Sequence, residues 1–152
     1  MRQTVGHTFI FKLVLVFTLM FTCFLALAIT YNKVFRLKNE MTSIIEKYEG
    51  INDQSLMVIN NYLSASGYNT KGECNEGFSG VSSFDDTNYE TYEPGEEYLY
   101  CFQEDRSVKS SNSHRKFYRV IVFYKFNLPV IGDLVTYKIK GETKTIYAGE
   151  TD

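Results

Sequence analysis

The sequence predicts an α+β fold: a long N-terminal transmembrane helix extending into an amphipathic helix, a short second helix, and a small antiparallel sheet of three or four strands. Three observations lead there. Residues 13–31 run without a charge, a proline or a glycine; an apolar period of three and four residues then continues to Tyr48; and the last third of the chain alternates aromatic or β-branched residues with polar ones. These divide the chain into a basic N-terminal tail or leader over 1–12, a span over 13–31, an amphipathic extension over 32–50 and an α+β domain over 51–152.

The apolar run, LVLVFTLMFTCFLALAITY, covers roughly 28 Å at about 1.5 Å per helical residue, close to the hydrocarbon thickness of a bilayer. Arg2 and Lys12 precede it, and Lys33, Arg36 and Lys38 follow. Lys/Arg number alone slightly favours a cytoplasmic C-terminus. The opposite orientation is the expectation here, with a cytoplasmic N-terminus and an extracytoplasmic domain. It spares the tail from export and places the two domain cysteines outside. A cleaved signal sequence is the alternative, because Ala26-Leu27-Ala28 fits a small-x-small site. Within the span, Thr18, Thr22 and Ala26 recur every fourth residue and form a small-residue stripe suited to close helix packing.

Past Tyr31 the period marks one face: Val34, Leu37, Met41, Ile44 and Tyr48, with Ile45 beside them. Gly50 supplies a stop, so one continuous helix of about forty residues is expected, half in lipid and half in water. A second helix runs from a cap at Asn52 or Asp53 through Leu56, Ile59, Tyr62 and Leu63 to Gly67. Residues 68–97 lose all periodicity and, with Gly72, Gly77, Gly80, Pro94 and Gly95 among polar residues, read as a long loop.

Strands are expected at 98–103, 117–126 and 134–140, with Gly141-Glu142 turning into a closing hairpin strand at 143–147. In the second of these, Tyr118, Val120, Val122, Tyr124 and Phe126 share one face, while Ile121 and Phe123 sit on the other beside Arg119 and Lys125. Such a strand is central and partly covered on both sides. The segment from Asn127 to Asp133 is more apolar than a surface connection requires, so it folds onto the core or meets a partner.

Composition narrows the chemistry. Of 152 residues, twelve are Tyr, twelve are Phe and none is Trp, and the net charge is -2. So weak a charge gives no basis for nucleic-acid binding. Of the three cysteines, Cys23 is a small apolar residue of the span, whereas Cys74 and Cys101 can form a disulfide if the domain lies in an oxidising compartment. Charged residues from Glu73 to Asp105 are all acidic, and those from Arg106 to Lys125 all basic. Either subunits pair head to tail through these patches or an acidic loop lies beside a basic strand. Asp85, Asp86 and Glu90 offer hard oxygen ligands without the spacing of a calcium loop. A thiol paired with His114 is the only nucleophilic arrangement to weigh, and His114 lies in a Ser/Asn-rich loop. No catalytic residue, cofactor or metal site is expected.

The order of parts resembles pilin-like proteins, and within them the small TadE-like proteins of tight-adherence pilus systems. The resemblance rests on the span with its extension VFRLKNEMTSIIEKYEG, the Cys74 and Cys101 pair, and the late segment FYRVIVFYKFNLPVIGDL. It implies a membrane-anchored, non-enzymatic component of a surface pilus or secretion apparatus whose partners are the membrane and other pilin-like or secretion-system subunits. It also implies processing between Gly6 and His7, although Phe11 stands where family pilins usually carry a glutamate. The competing class is a membrane-tethered binding or accessory module unrelated to pili.

Overall fold

A computed structural model of the chain describes residues 2–85, 88–106, 115–128 and 132–147. Its order is α1 (Arg2–Lys47), α2 (Asp53–Ala65), β1 (Ser79–Val81), β2 (Glu90–Thr91), β3 (Tyr100–Arg106), β4 (Arg115–Leu128), β5 (Gly132–Glu142) and β6 (Ile146–Tyr147). All pairings between the described strands are antiparallel. The sheet runs β2-β1-β3-β4-β5, and β6 pairs with the start of β4.

Both helices end where the chain chemistry requires. The α1 helix passes through Gly6 and the span into the domain as one element and closes when the Gly50 amide donates to the Ile45 carbonyl at 2.9 Å. Glu49 there takes a φ of 56°. A side chain at Gly50 would meet the Tyr118 hydroxyl at 2.8 Å, so glycine serves packing as well as conformation. In α2, Asn52 accepts from the Ser55 amide while the Ser55 hydroxyl accepts from the Asn52 amide, each at 2.8 Å, a reciprocal box that satisfies two otherwise orphan donors.

The sheet is covered on both faces. Val34, Leu37, Met41, Ile44 and Ile45 of α1 join Leu56, Ile59 and Leu63 of α2 and, from the sheet, Tyr100, Phe102, Tyr118, Val120 and Val122 in one buried core. Behind the sheet, Cys74, Phe78, Tyr98, Cys101, Ile121 and Phe123 form a second, smaller core. The alternation of β4 therefore has two buried sides.

Two expectations need correction. Three or four strands become five along the path plus β6, because residues 68–97 contribute β1 and β2 where a loop was expected. With three and two residues they are too short to display a period. The closing hairpin is also absent: β6 pairs with β4, not β5. Thr143 explains this, since its amide donates to the Tyr118 carbonyl and its hydroxyl accepts from the Tyr118 amide, each at 2.9 Å, which keeps the chain alongside β4.

Tyr68 makes a contact no local pattern announces. Beyond the Tyr100 and Val122 pair, β3 leaves β4, and the Tyr68 hydroxyl fills the next rung: it donates to the Leu99 carbonyl at 2.8 Å and accepts from the Phe123 amide at 3.0 Å. Burial pushes the Tyr68 hydroxyl pKa up, so it stays a protonated donor. Tyr68→Phe strands two buried backbone groups. The expected loss is about 1–3 kcal/mol in thermal unfolding of the detergent-solubilised chain.

Candidate functional site: an apolar helix and the domain it carries

The site is the surface of α1 itself, because one helix meets two environments. Met20 is 72% exposed and Met41 fully buried, although they share one helix and one residue type. From Phe9 to Ile29 the large apolar side chains Phe9, Phe11, Phe17, Met20, Phe21, Phe24 and Ile29 face outward, whereas from Val34 onward the apolar face is the domain core. The first half is long and apolar enough to cross a membrane, and no residue of its most apolar stretch is fully buried.

Hydrogen bonding inside this half suits an apolar medium. The Thr18 hydroxyl donates to the Val14 carbonyl at 2.8 Å, and the Thr22 hydroxyl donates to the Leu19 carbonyl at 2.8 Å. Thr30 likewise donates to Ala26 at 3.0 Å. Each of these three hydroxyls is satisfied within the helix, so none of them would be left bare in an apolar medium. Thr18 and Thr22 are exposed and Ala26 is half-buried, so the stripe reaches the edge of the sheet-facing side. Gly6 and His7 lie in the helix, and their side chains fall outside the described residues.

On the far side of the sheet, Cys74 and Cys101 form a disulfide with Cα atoms 5.8 Å apart. It joins the segment after α2 to β3. Glu73 adds a second tie, accepting from the Tyr92 hydroxyl at 3.0 Å and the Gly95 amide at 3.3 Å. The Tyr92 hydrogen bond, then the Gly95 amide, hold the Glu73 carboxyl below the ordinary glutamate range. Sequence reading missed this contact, whose partners lie 19 and 22 residues away in a stretch without period.

The segregated charges meet inside the chain. Arg119 reaches Asp105 at 3.1 Å and Glu142 at 3.1 Å, and Arg106 reaches Glu104 at 2.8 Å. Exposed pairs of this kind add little stability, yet they consume charge that a head-to-tail contact would use. Glu90, Thr91, Glu93 and Glu96 line an open acidic hollow. Among the described residues no group of three His, Cys, Asp or Glu side chains is placed to hold a metal ion. His114, Asp86 and Thr87 lie outside the described residues.

No family model, curated protein or solved structure matches the chain.

Two outcomes follow from the geometry behind the sheet. With a sequence separation of 27, the disulfide contributes about 3.5 kcal/mol by restricting the unfolded chain, so a Cys74→Ala/Cys101→Ala variant loses that order of stability in thermal unfolding. The Glu73 ties act through a lowered carboxyl pKa, so their stabilisation is present at neutral pH and lost as pH falls through the folded-state value. Glu73→Gln is accordingly less stable than the parent at pH 7, and the gap closes in acid, as read by melting temperature across pH.

Proposed function

We propose that this chain is a single-pass, membrane-anchored, non-enzymatic structural subunit, minor pilin-like or TadE-like, of a surface pilus or secretion apparatus. The observation that carries the reading is the unbroken helix Arg2–Lys47, bare and apolar in its first half and the spine of a folded domain in its second. A subunit so built is held in the bilayer before assembly, and the same apolar surface then serves for packing on neighbouring helices. Thr18, Thr22 and Ala26 permit close approach, and the threonine hydroxyls, satisfied within the helix, add no desolvation cost. The disulfide favours an extracytoplasmic domain and a cytoplasmic N-terminus.

The acidic hollow at Glu90, Thr91, Glu93 and Glu96 supports the second reading, a tethered module that binds a cationic ligand. Cysteine crosslinking in native membranes decides between the two. In a Cys23→Ala background, Thr18→Cys and Thr22→Cys chains are expected to oxidise to dimers and to adducts with pilin-like subunits, with Phe17→Cys giving far fewer. The intact mass of the same adducts reads whether the chain begins at His7. Monomers at all three positions would set the subunit reading aside in favour of the tethered module.

A further inference from the structure

The β4–β5 hairpin descends along α1 toward the membrane, and three contacts fix its direction. Tyr118 on β4 lies against Gly50, Gly141 on β5 (the partner of Val120) lies against Lys38, and the Tyr124 ring is 6.5 Å from that of Tyr31. Moving along β4 toward its C-terminal end therefore moves down α1 toward its N-terminus. Tyr31 is the last apolar residue before the first charge beyond the run, Lys33. The strands do not stop there: β4 continues to Leu128, and β5 begins at Gly132, its register partner. Four strand residues past Tyr124 add about 13 Å. That distance matches about nine residues of helix, which brings the strand ends level with Thr22 and Cys23.

The helix bears the mark of that descent. Cys23, Ala26, Leu27 and Thr30 continue the sheet-facing side of α1 and, with Ala28, are half-buried, while the other described residues of the run from Leu13 to Tyr31 are exposed. Above them sits a ring cluster. Tyr31 lies 6.2 Å from Phe35, and Tyr124 stacks on Tyr137 at 5.1 Å. Tyr31, Phe35 and Tyr137 stay exposed, Tyr137 at 45%, so the cluster is a surface and not a core. Lys38 rests over the Phe35 ring at 4.3 Å, and Lys33, Arg36 and Lys125 are exposed close by. From Leu13 to Asn39, and along all of β4, no residue is acidic; on the described part of β5 below Tyr137, Asp133 is the one carboxylate.

We propose that this end of the domain is a lipid-contacting foot. The Tyr31, Phe35, Tyr124 and Tyr137 cluster sits at the outer edge of the headgroup layer of the bilayer that holds α1, with the neighbouring cations on the phosphates and the ends of β4 and β5 about 13 Å deeper, in the upper acyl layer beside Thr22 and Cys23. Tyrosine suits this depth because its ring is apolar and its hydroxyl wet, and lysine and arginine beside a span are drawn to anionic lipid. The occupant is phospholipid because the cluster is continuous with the span and flanked by cations. The domain therefore stands on the membrane at a fixed height and angle instead of swinging from a tether. This inference rests on the reading of α1 as a membrane span.

The absence of tryptophan from the chain makes the test direct, since a single introduced residue is the sole reporter. The full chain carrying Tyr137→Trp, Thr136→Trp or Lys144→Trp is reconstituted in vesicles of phosphatidylcholine and phosphatidylglycerol containing lipids with a nitroxide near the headgroup. Lys144 lies beside Glu46, at the far end of the domain. Fluorescence quenching several-fold greater for Tyr137→Trp and Thr136→Trp than for Lys144→Trp, with blue-shifted emission, is the expected result. Equally weak quenching at all three positions, with protein floating with the vesicles after alkaline wash, overturns the foot and leaves the anchor standing. Protein that fails to float overturns the anchor, and the foot with it.

Discussion

Packing of the second half of α1 on β4 is the constraint from which the rest follows. Met41 and Ile45 are buried against a sheet face that includes Val120 and Val122, so the helix cannot rotate or slide without exposing its part of the core. Burying a Val, Leu, Ile or Met side chain contributes about 1.5–3 kcal/mol, and five such residues of α1 take part. Because the helix is continuous into its bare half, the orientation of that half is fixed by the core of the domain. The direction in which the apolar residues face is thus a property of the sheet as much as of the span.

Much of this architecture is legible from the chain alone. The apolar run and the period after it both follow from helix geometry, so the long helix and its change of surroundings are visible without coordinates. Asn52 and Gly67 mark the ends of α2 by local chemistry. The two-sided alternation of β4 correctly marks a strand covered on both faces. What stays hidden depends on contacts distant in sequence. Tyr68 completes a rung with residues 31 and 55 positions away, and nothing in its neighbours indicates it. Gly72 and Gly80 look like loop punctuation, yet a side chain at Gly72 would strike the ring of Phe123 and one at Gly80 the ring of Tyr98. They are small because the segment lies close on the sheet.

The bare half of α1 was legible in a different sense. Its composition specifies a solvent, and the threonine hydroxyls bonded to carbonyls within the helix agree with that solvent, but composition does not specify a neighbour. The charge pattern shows the same limit. Runs of opposite sign along the chain suggest two patches, whereas β3 and β4 pair antiparallel, which brings Asp105 opposite Phe117 and within reach of Arg119. A linear segregation of charge becomes a local neutralisation once the strands fold back on each other.

The two cores divide the work of the domain. One ties the sheet to α1; the other, built on the disulfide with Phe78, Tyr98, Ile121 and Phe123, ties residues 72–102 to the opposite face. Only the first core contains residues of α1, so losing the disulfide would loosen the outer cover while the sheet kept its seat on the helix. The outer cover is also where the acidic hollow lies, away from the hairpin that descends beside the span. A chain arranged in this way can vary its exposed surface without disturbing its mounting.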